Sequence, residues 1–276
     1  MNVKPIDRKE ARRICELHPH AGSLPNSSKY YFAAYINGKV AGLAVWGWGI
    51  VPRKTPKALF GDAGKFEDYL ELCRFFVFDW TPKYTASKFL SFTHRLLKRH
   101  TKLKYLYTYA AGFQGLIGTI YQAANYDYIG RKLCRLFYVP KNGLVHPIPL
   151  YHRYKINTHF AKGDSLVRLQ KIFPEMKIWC GYNFVYIYWL RDKEKLMKHA
   201  KFDICNKYPT KEDLKIWLED EHGNKEPISV EFAKTVPLIK LKSNRNCDVG
   251  VKRSTASFQD VSGGAIPTTS LHLNYA

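Results

Sequence analysis

The 276-residue chain carries 44 Lys and Arg against 23 Asp and Glu, a formal net charge of +21 with pI near 9.6. With 46% hydrophobic and 15% aromatic residues it is too apolar for a disordered segment, and no run of about 20 apolar residues marks a membrane span. A charge imbalance of this size repels itself unless a polyanion offsets it, so nucleic acid is the expected partner and a membrane is not.

In chain order, Asp7 to Leu17 spaces Ala11, Ile14, Cys15 and Leu17 on one helix face, with Asp7 as N-cap. The loop from His18 to Ser28 follows. Tyr30–Ile36 and Val40–Trp48 read as a hairpin across Asn37-Gly38. Val51 to Phe66 reads as a basic loop, Leu70–Phe78 as a central strand and Thr85–His100 as a helix. Next come a buried strand at Tyr105–Ala110, glycine breaks at Gly112, Gly115 and Gly118, a helix at Ile117–Asn125 and strands at Tyr126–Ile129 and Lys132–Val139. Pro140 to Met176 is irregular and basic, with one helix near Ser165–Phe173. Lys177–Leu190 is the most aromatic strand, followed by a charged helix at Asp192–Ala200. Pro209 to Leu218 starts a helix or a hairpin, and Ser243 to Ala276 reads as an extended tail. The six cysteines are scattered with no zinc spacing; Cys15, Cys73, Cys134 and Cys180 look like reduced core thiols.

This order fits an acetyltransferase-like (GNAT) α/β fold, a mixed central sheet flanked by helices. The stretch Lys104 to Gly130 is the most specific. It resembles the Mom family of phage DNA-modification proteins, whose pattern is S-Y-A-D, a short linker, then G-x-x-G-T-I-Y-Q-A-x-N-[FWY]-x-Y-x-G. The chain supplies Thr108-Tyr109-Ala110, Gly115, Gly118-Thr119-Ile120-Tyr121-Gln122-Ala123, Asn125-Tyr126, Tyr128 and Gly130. It departs at Ala111, where the family has its Asp.

The resemblance covers roughly Leu17 to Leu190. It implies a GNAT-like transferase domain over residues 1–200, with an insertion at about 140–177, and a basic, partly irregular extension over 201–276. It also implies a phage enzyme acting on adenine N6 of double-stranded DNA in the cytoplasm of the infected bacterium, adding a carbamoylmethyl-type group against restriction. The acyl donor it suggests is a glycyl-tRNA or a coenzyme A thioester such as acetyl-CoA. Acylation by a glycyl group followed by migration to C6 gives the carbamoylmethyl product. The glycine-rich R/Q-x-x-G-x-G/A signature that cradles coenzyme A is absent between Thr81 and Ser87, which favours the tRNA.

His18 and His20 lie in a loop able to reach the acceptor side, and a histidine there can take an amine proton; His20 is preferred. They also sit two apart, but no carboxylate or thiolate neighbours them to complete a metal site. Glu71 and Arg74 are three apart and point to opposite faces if their strand is regular. One of them is then buried and paired; the resemblance selects Arg74, whose fork can hold a phosphate or carboxyl group. A helix N-terminus with Lys83, Thr85, Ser87 and Lys88 can hold a phosphate or simply be capped. Tyr121, Gln122 and Asn125 can stack on and hydrogen-bond a flipped base, against core packing of Tyr121. At position 111 an Asp would orient a histidine or accept an amine proton, and Ala111 does neither. The resemblance thus points to His20, His18, Ala111, Tyr121, Ser87 and Arg74 as catalytic positions. It points to Tyr31, Lys83, Thr85, Gly115, Gly118, Thr119, Gln122 and Asn125 as substrate-binding ones. Basic clusters at Lys98–Lys104, Lys132–Arg135, His152–Lys155 and Lys240–Arg253 are the expected phosphate surface. The rival reading, given Ala111, is a DNA-binding protein without turnover. An ordinary N-acetyltransferase would need the glycine-rich loop and less positive charge.

Overall fold

The computed structural model describes residues 1–18, 24–49, 51–156 and 163–239. In chain order it contains β1 (Asn2–Ile6), α1 (Arg8–Leu17), β2 (Ser28–Ile36), β3 (Lys39–Gly47), α2 (Lys54–Phe60), β4 (Tyr69–Val77) and α3 (Thr85–His100). Then come β5 (Tyr105–Ala110), α4 (Thr119–Ala123), β6 (Asp127–Val139), β7 (Gly143–Val145), α5 (Pro147–Tyr154), α6 (Gly163–Gln170) and β8 (Lys177–Trp189). The described chain closes with α7 (Lys193–Met197), β9 (Ile216–Glu219), β10 (Lys225–Pro227), α8 (Val230–Thr235) and β11 (Leu238–Ile239).

The strands form one mixed sheet in the order β1-β2-β3-β4-β5-β8-β6-β7-β11, with β9 joining β8 and β10 joining β9. β4 and β5 run parallel, as do β7 and β11; the other pairs are antiparallel. β8 is the pivot. Its residues Phe184–Trp189 pair β5, its residues Ile178–Gly181 pair β9, and β6 runs along its other side. A strand paired on both sides is buried along most of its length, which explains its high content of apolar and aromatic residues.

α3 buries Phe89, Leu90, Thr93, His94 and Leu97 at helical spacing against the sheet. α1 buries Ala11, Ile14 and Cys15 in a separate cluster with Leu43, Val45, Cys73 and Phe76, and Asp7 accepts from the Glu10 N–H as its N-cap. Cys15, Cys73, Cys134 and Cys180 are buried.

Several elements differ from expectation. β1 carries Lys4 and Pro5, which hide a strand pattern, yet both suit the sheet edge it occupies. α2 occupies part of the expected basic loop. The two strands expected around Gly130 are the single β6, which absorbs the glycine at φ 112° through a register shift between Tyr128 and Arg131. The helix expected to Asn125 stops at Ala123, because Asn125 adopts φ 60° and turns the chain into β6. Beyond residue 200, β9 and β11 pair into the same sheet through β8 and β7. The tail from Ser243 and the basic cluster Lys240–Arg253 lie outside the described residues.

Candidate active site

β4 and β5 pair only over Tyr69–Glu71 and Tyr105–Tyr107. β4 then follows β3 to Val77, and β5 follows β8 to Ala110. Two parallel strands joined by a helix thus separate toward their carboxyl ends, the position where α/β sheets hold ligands.

Glu71 sits at the foot of this wedge and is 8% exposed. Its carboxyl packs against Gly49, where φ is 67° and an added Cβ would stand 2.3 Å from Glu71 Oε2. A side chain there would strain the backbone and push the Glu71 carboxyl aside. Among the described residues no hydrogen bond or ion pair reaches the Glu71 carboxyl. Burial pushes its pKa up to about 7, and the Lys132 ammonium on β6 pulls weakly the other way. Lys132 is an exposed residue, yet its Nζ lies 6.0 Å from the Tyr107 ring centre and 5.7 Å from that of Tyr109. Enough protein surrounds that ammonium to lower its pKa.

Tyr107 and Tyr109 meet edge to face at 4.9 Å, and burial raises the pKa of both hydroxyls. Asn183, in register with Lys132, is buried. The Tyr107 hydroxyl and Asn183 Oδ1 make no hydrogen bond of good geometry among the described residues. The Tyr107 side chain still meets that of Tyr109, and Asn183 meets Cys134; a buried carboxyl of raised pKa near such buried polar side chains is the pattern of a functional site. The neighbouring Cys73 thiol is pushed up to about 12 by burial and by Glu71, so it is not a nucleophile at neutral pH.

β4 is not regular. Val45 pairs with Arg74 and Trp46 with Leu72, leaving Cys73 as an extra residue. Leu72 and Phe75 therefore lie in one apolar cluster, Cys73 and Phe76 in another. This corrects the opposite-face expectation: the bulge resets the alternation and leaves Glu71 and Arg74 on the same face. Arg74 is buried, and its Nη1 donates to the Cys73 carbonyl at 3.0 Å.

The other expected site residues divide by location. His18 ends α1 with its ring 4.3 Å from Phe76 and 5.5 Å from Phe78, at the carboxyl end of β4. His20 lies outside the described residues. The first turn of α3 stands at the same edge; Thr85 Oγ1 donates to the Pro82 carbonyl at 2.6 Å and Ser87 Oγ to that of Tyr84 at 3.2 Å. Lys83 is exposed beside Tyr84. Tyr31 accepts from Arg8 at 2.8 Å, tying β2 to α1.

Tyr121 requires correction. It is fully buried with its ring 5.4 Å from both Tyr126 and Tyr186, so it cannot stack on a base. Gln122 Nε2 donates to the Ile117 and Pro209 carbonyls and to the Tyr186 hydroxyl, at 3.1 to 3.3 Å. Asn125 is exposed beyond the end of α4 and shares no helix face with Tyr121. Gly118 at φ 77° lies where a Cβ would meet the Tyr186 ring at 2.6 Å, and Gly115 at φ 80° lies against Val230. Thr119 is exposed as the first residue of α4. Ala111 is buried among Phe113, Cys134, Leu136 and Trp179, and its carbonyl accepts from the Gln114 and Leu116 N–H groups.

The wedge thus gathers Glu71, Tyr107, Tyr109, Lys132 and Asn183, with His18 and the head of α3 along its edge. Sequence reasoning weighed Glu71 but preferred Arg74, and counted Lys132 as surface. The alternating tyrosines at 105, 107 and 109 were the available signal for a shared face. Among the described residues, no group of three or more His, Cys, Asp and Glu is placed to hold a metal ion.

Comparison with known proteins adds three findings. Over 131 residues the chain is 22% identical to the methylcarbamoylase mom of Escherichia phage Mu; the match takes in 47% of this chain and about half, 54%, of that relative. The crystal structure of smu.2055 from Streptococcus mutans UA159 covers 69% of this chain and 100% of its own at 11% identity, with a TM-score of 0.35 that carries no argument about fold. The sequence model of the Mom protein family matches residues 1–210, well over half the chain, and the chain therefore belongs to that family.

Proposed function

We propose that this protein is a GNAT-like phage enzyme that transfers a glycyl-derived, carbamoylmethyl-forming group to adenine N6 of duplex DNA, shielding it from restriction in the host cytoplasm. Family membership, the name of the phage Mu relative and the net charge of +21 support this reading. The observation that carries it is Glu71, a buried carboxyl with a pKa near neutrality where two parallel strands part.

Adenine N6 is a weak nucleophile because its lone pair is delocalised into the ring, so a base and an oxyanion partner must supply much of the rate. In this mechanism N6 attacks the acyl carbon and an N–C bond forms. The Glu71 carboxylate takes the N6 proton. The donor's C–O or C–S bond then breaks, and the leaving oxygen or sulfur receives that proton. The Lys132 ammonium and the Tyr107 hydroxyl face the developing oxyanion. A base titrating near 7 is ionised often enough at neutral pH and still basic enough to accept a proton. The loop ahead of α3 lacks the glycine-rich pyrophosphate cradle, which favours a glycyl-tRNA over a coenzyme A thioester as donor.

A DNA-binding protein without turnover is the second reading, and Ala111 favours it. The test is to express wild type and Ala111→Asp in bacteria, digest plasmid DNA to nucleosides, and search by mass spectrometry for a modified deoxyadenosine. Modification by wild type supports catalysis with Ala111 in place. Modification by the Asp form alone makes this chain an inactive member. Tight DNA binding with no modification by either moves the protein to the second reading.

A further inference from the structure

We propose that the outer face of α3 is a binding track for an unpaired nucleic-acid strand, with bases stacking on Trp80, Tyr84 and Phe92 and phosphates meeting Lys88, Arg95 and Arg99. This surface starts at the head of α3, on the wedge's edge, and follows the helix from there; it does not depend on the reaction proposed in the wedge.

α3 has no acidic residue, and the stretch from Phe78 to His100 has one, Asp79, against five Lys or Arg. The inner face is committed to the core. On the outer face Lys88, Phe92, Arg95 and Arg99 follow one another at steps of four, three and four, which places them in one stripe. Tyr84 stands at its head and Trp80 just before it. From Thr85 to Arg99 the stripe is about 21 Å long at 1.5 Å per residue.

Basic residues alone would be an ordinary solvated helix face. The aromatic residues distinguish this one. Tyr84, Trp80 and Phe92 are 62%, 42% and 38% exposed. Each ring has a cation against it: Lys39 Nζ lies 4.5 Å from Trp80, Lys83 Nζ 5.1 Å from Tyr84, and the Arg95 guanidinium 4.3 Å from Phe92. Tyr84 also adopts φ 67° as the N-cap of α3 and makes no side-chain capping bond. A bulky residue held left-handed is strained, and here that strain leaves the ring in solvent rather than in the core. Exposed rings interleaved with cations suit a strand whose base faces are free. A duplex keeps those faces stacked inside and offers only phosphates.

The test is fluorescence anisotropy of the full chain with a labelled oligothymidine of about 20 nucleotides and with a duplex of the same length, at about 150 mM salt. The single strand is expected to bind more tightly. F92A should weaken it by about 5- to 100-fold, the range for one stacked base. Y84G should weaken it while raising Tm, because glycine relieves the left-handed strain; opposite signs separate a binding role from a structural one. K88Q with R95Q should flatten the salt dependence. Equal binding of duplex, with both aromatic variants unaffected, overturns the proposal, and so does failure to bind the single strand. Adenine modification is scored separately: modification without single-strand binding sinks this surface alone, and the reverse sinks the proposed reaction alone.

Discussion

The motif stretch divides into two regions with opposite duties. Its first half, β5, turns Tyr107 and Tyr109 into the wedge beside Glu71 and Lys132. Its second half, Gly115 to Tyr126, is more recognisable as a pattern and carries no reactive group that faces the wedge. Gly118 lets α4 settle onto the Tyr186 ring, Tyr121 fills the space between Tyr126 and Tyr186, and Gln122 bridges two carbonyls. A pattern that identifies a family can thus be fixed by packing as firmly as by chemistry.

Removing Tyr121 breaks this contrast most sharply. Y121A should destabilise the fold by about 3–5 kcal/mol through the cavity it leaves. Y121F should cost far less, about 1 kcal/mol, the scale of the single side-chain hydrogen bond its hydroxyl shares with Thr108. Thermal unfolding checks both; a phenylalanine variant that folds normally but loses adenine modification would return Tyr121 to the site. E71Q should do the opposite, leaving the fold intact and reducing modification by about 100-fold or more, as for loss of a general base. Modification by active wild type should also rise as pH passes 7, where Glu71 ionises. A flat profile removes Glu71 as the base.

The same carboxyl supplies a stability test. Its pKa is raised from 4.5 to about 7 on folding, so the folded state holds the proton more tightly than the unfolded one. Its favourable contribution is full below about pH 4.5 and is lost as pH rises through 7, where a buried charge must be carried. The Tm of E71Q relative to wild type should therefore climb between pH 4.5 and 7 and level off above, by about 1–3 kcal/mol in stability. A constant difference across that range would mean the carboxyl is solvated. The smallest effect is expected at the end of the second region, at the exposed Asn125. N125G should stabilise by a few tenths to about 1 kcal/mol, since φ 60° is easier for glycine. Denaturant midpoints measure this, and a loss would show that the Asn side chain is used.

Much was legible from residues alone. The Asn37-Gly38 hairpin, the helix from Thr85 to His100, the strand at Tyr105–Ala110 and the aromatic strand ending near Trp189 follow from turn chemistry and periodicity, which act over a few neighbours. So do the buried cysteines, and so does the family, which rests on an ordered string of residue types. Other features required the tertiary structure. Lys132 looked like one more surface cation until β8 aligned β6 beside β5 and laid its ammonium over two tyrosines. Glu71 looked secondary to Arg74 until a bulge at Cys73 reset the strand's alternation and Gly49 closed against the carboxyl. Tyr121 looked reactive until Tyr126 and Tyr186 enclosed it. Local propensity is written in sequence neighbours, whereas burial, and with it the pKa of a carboxyl and the availability of a ring, is set by residues distant in the chain that packing brings together.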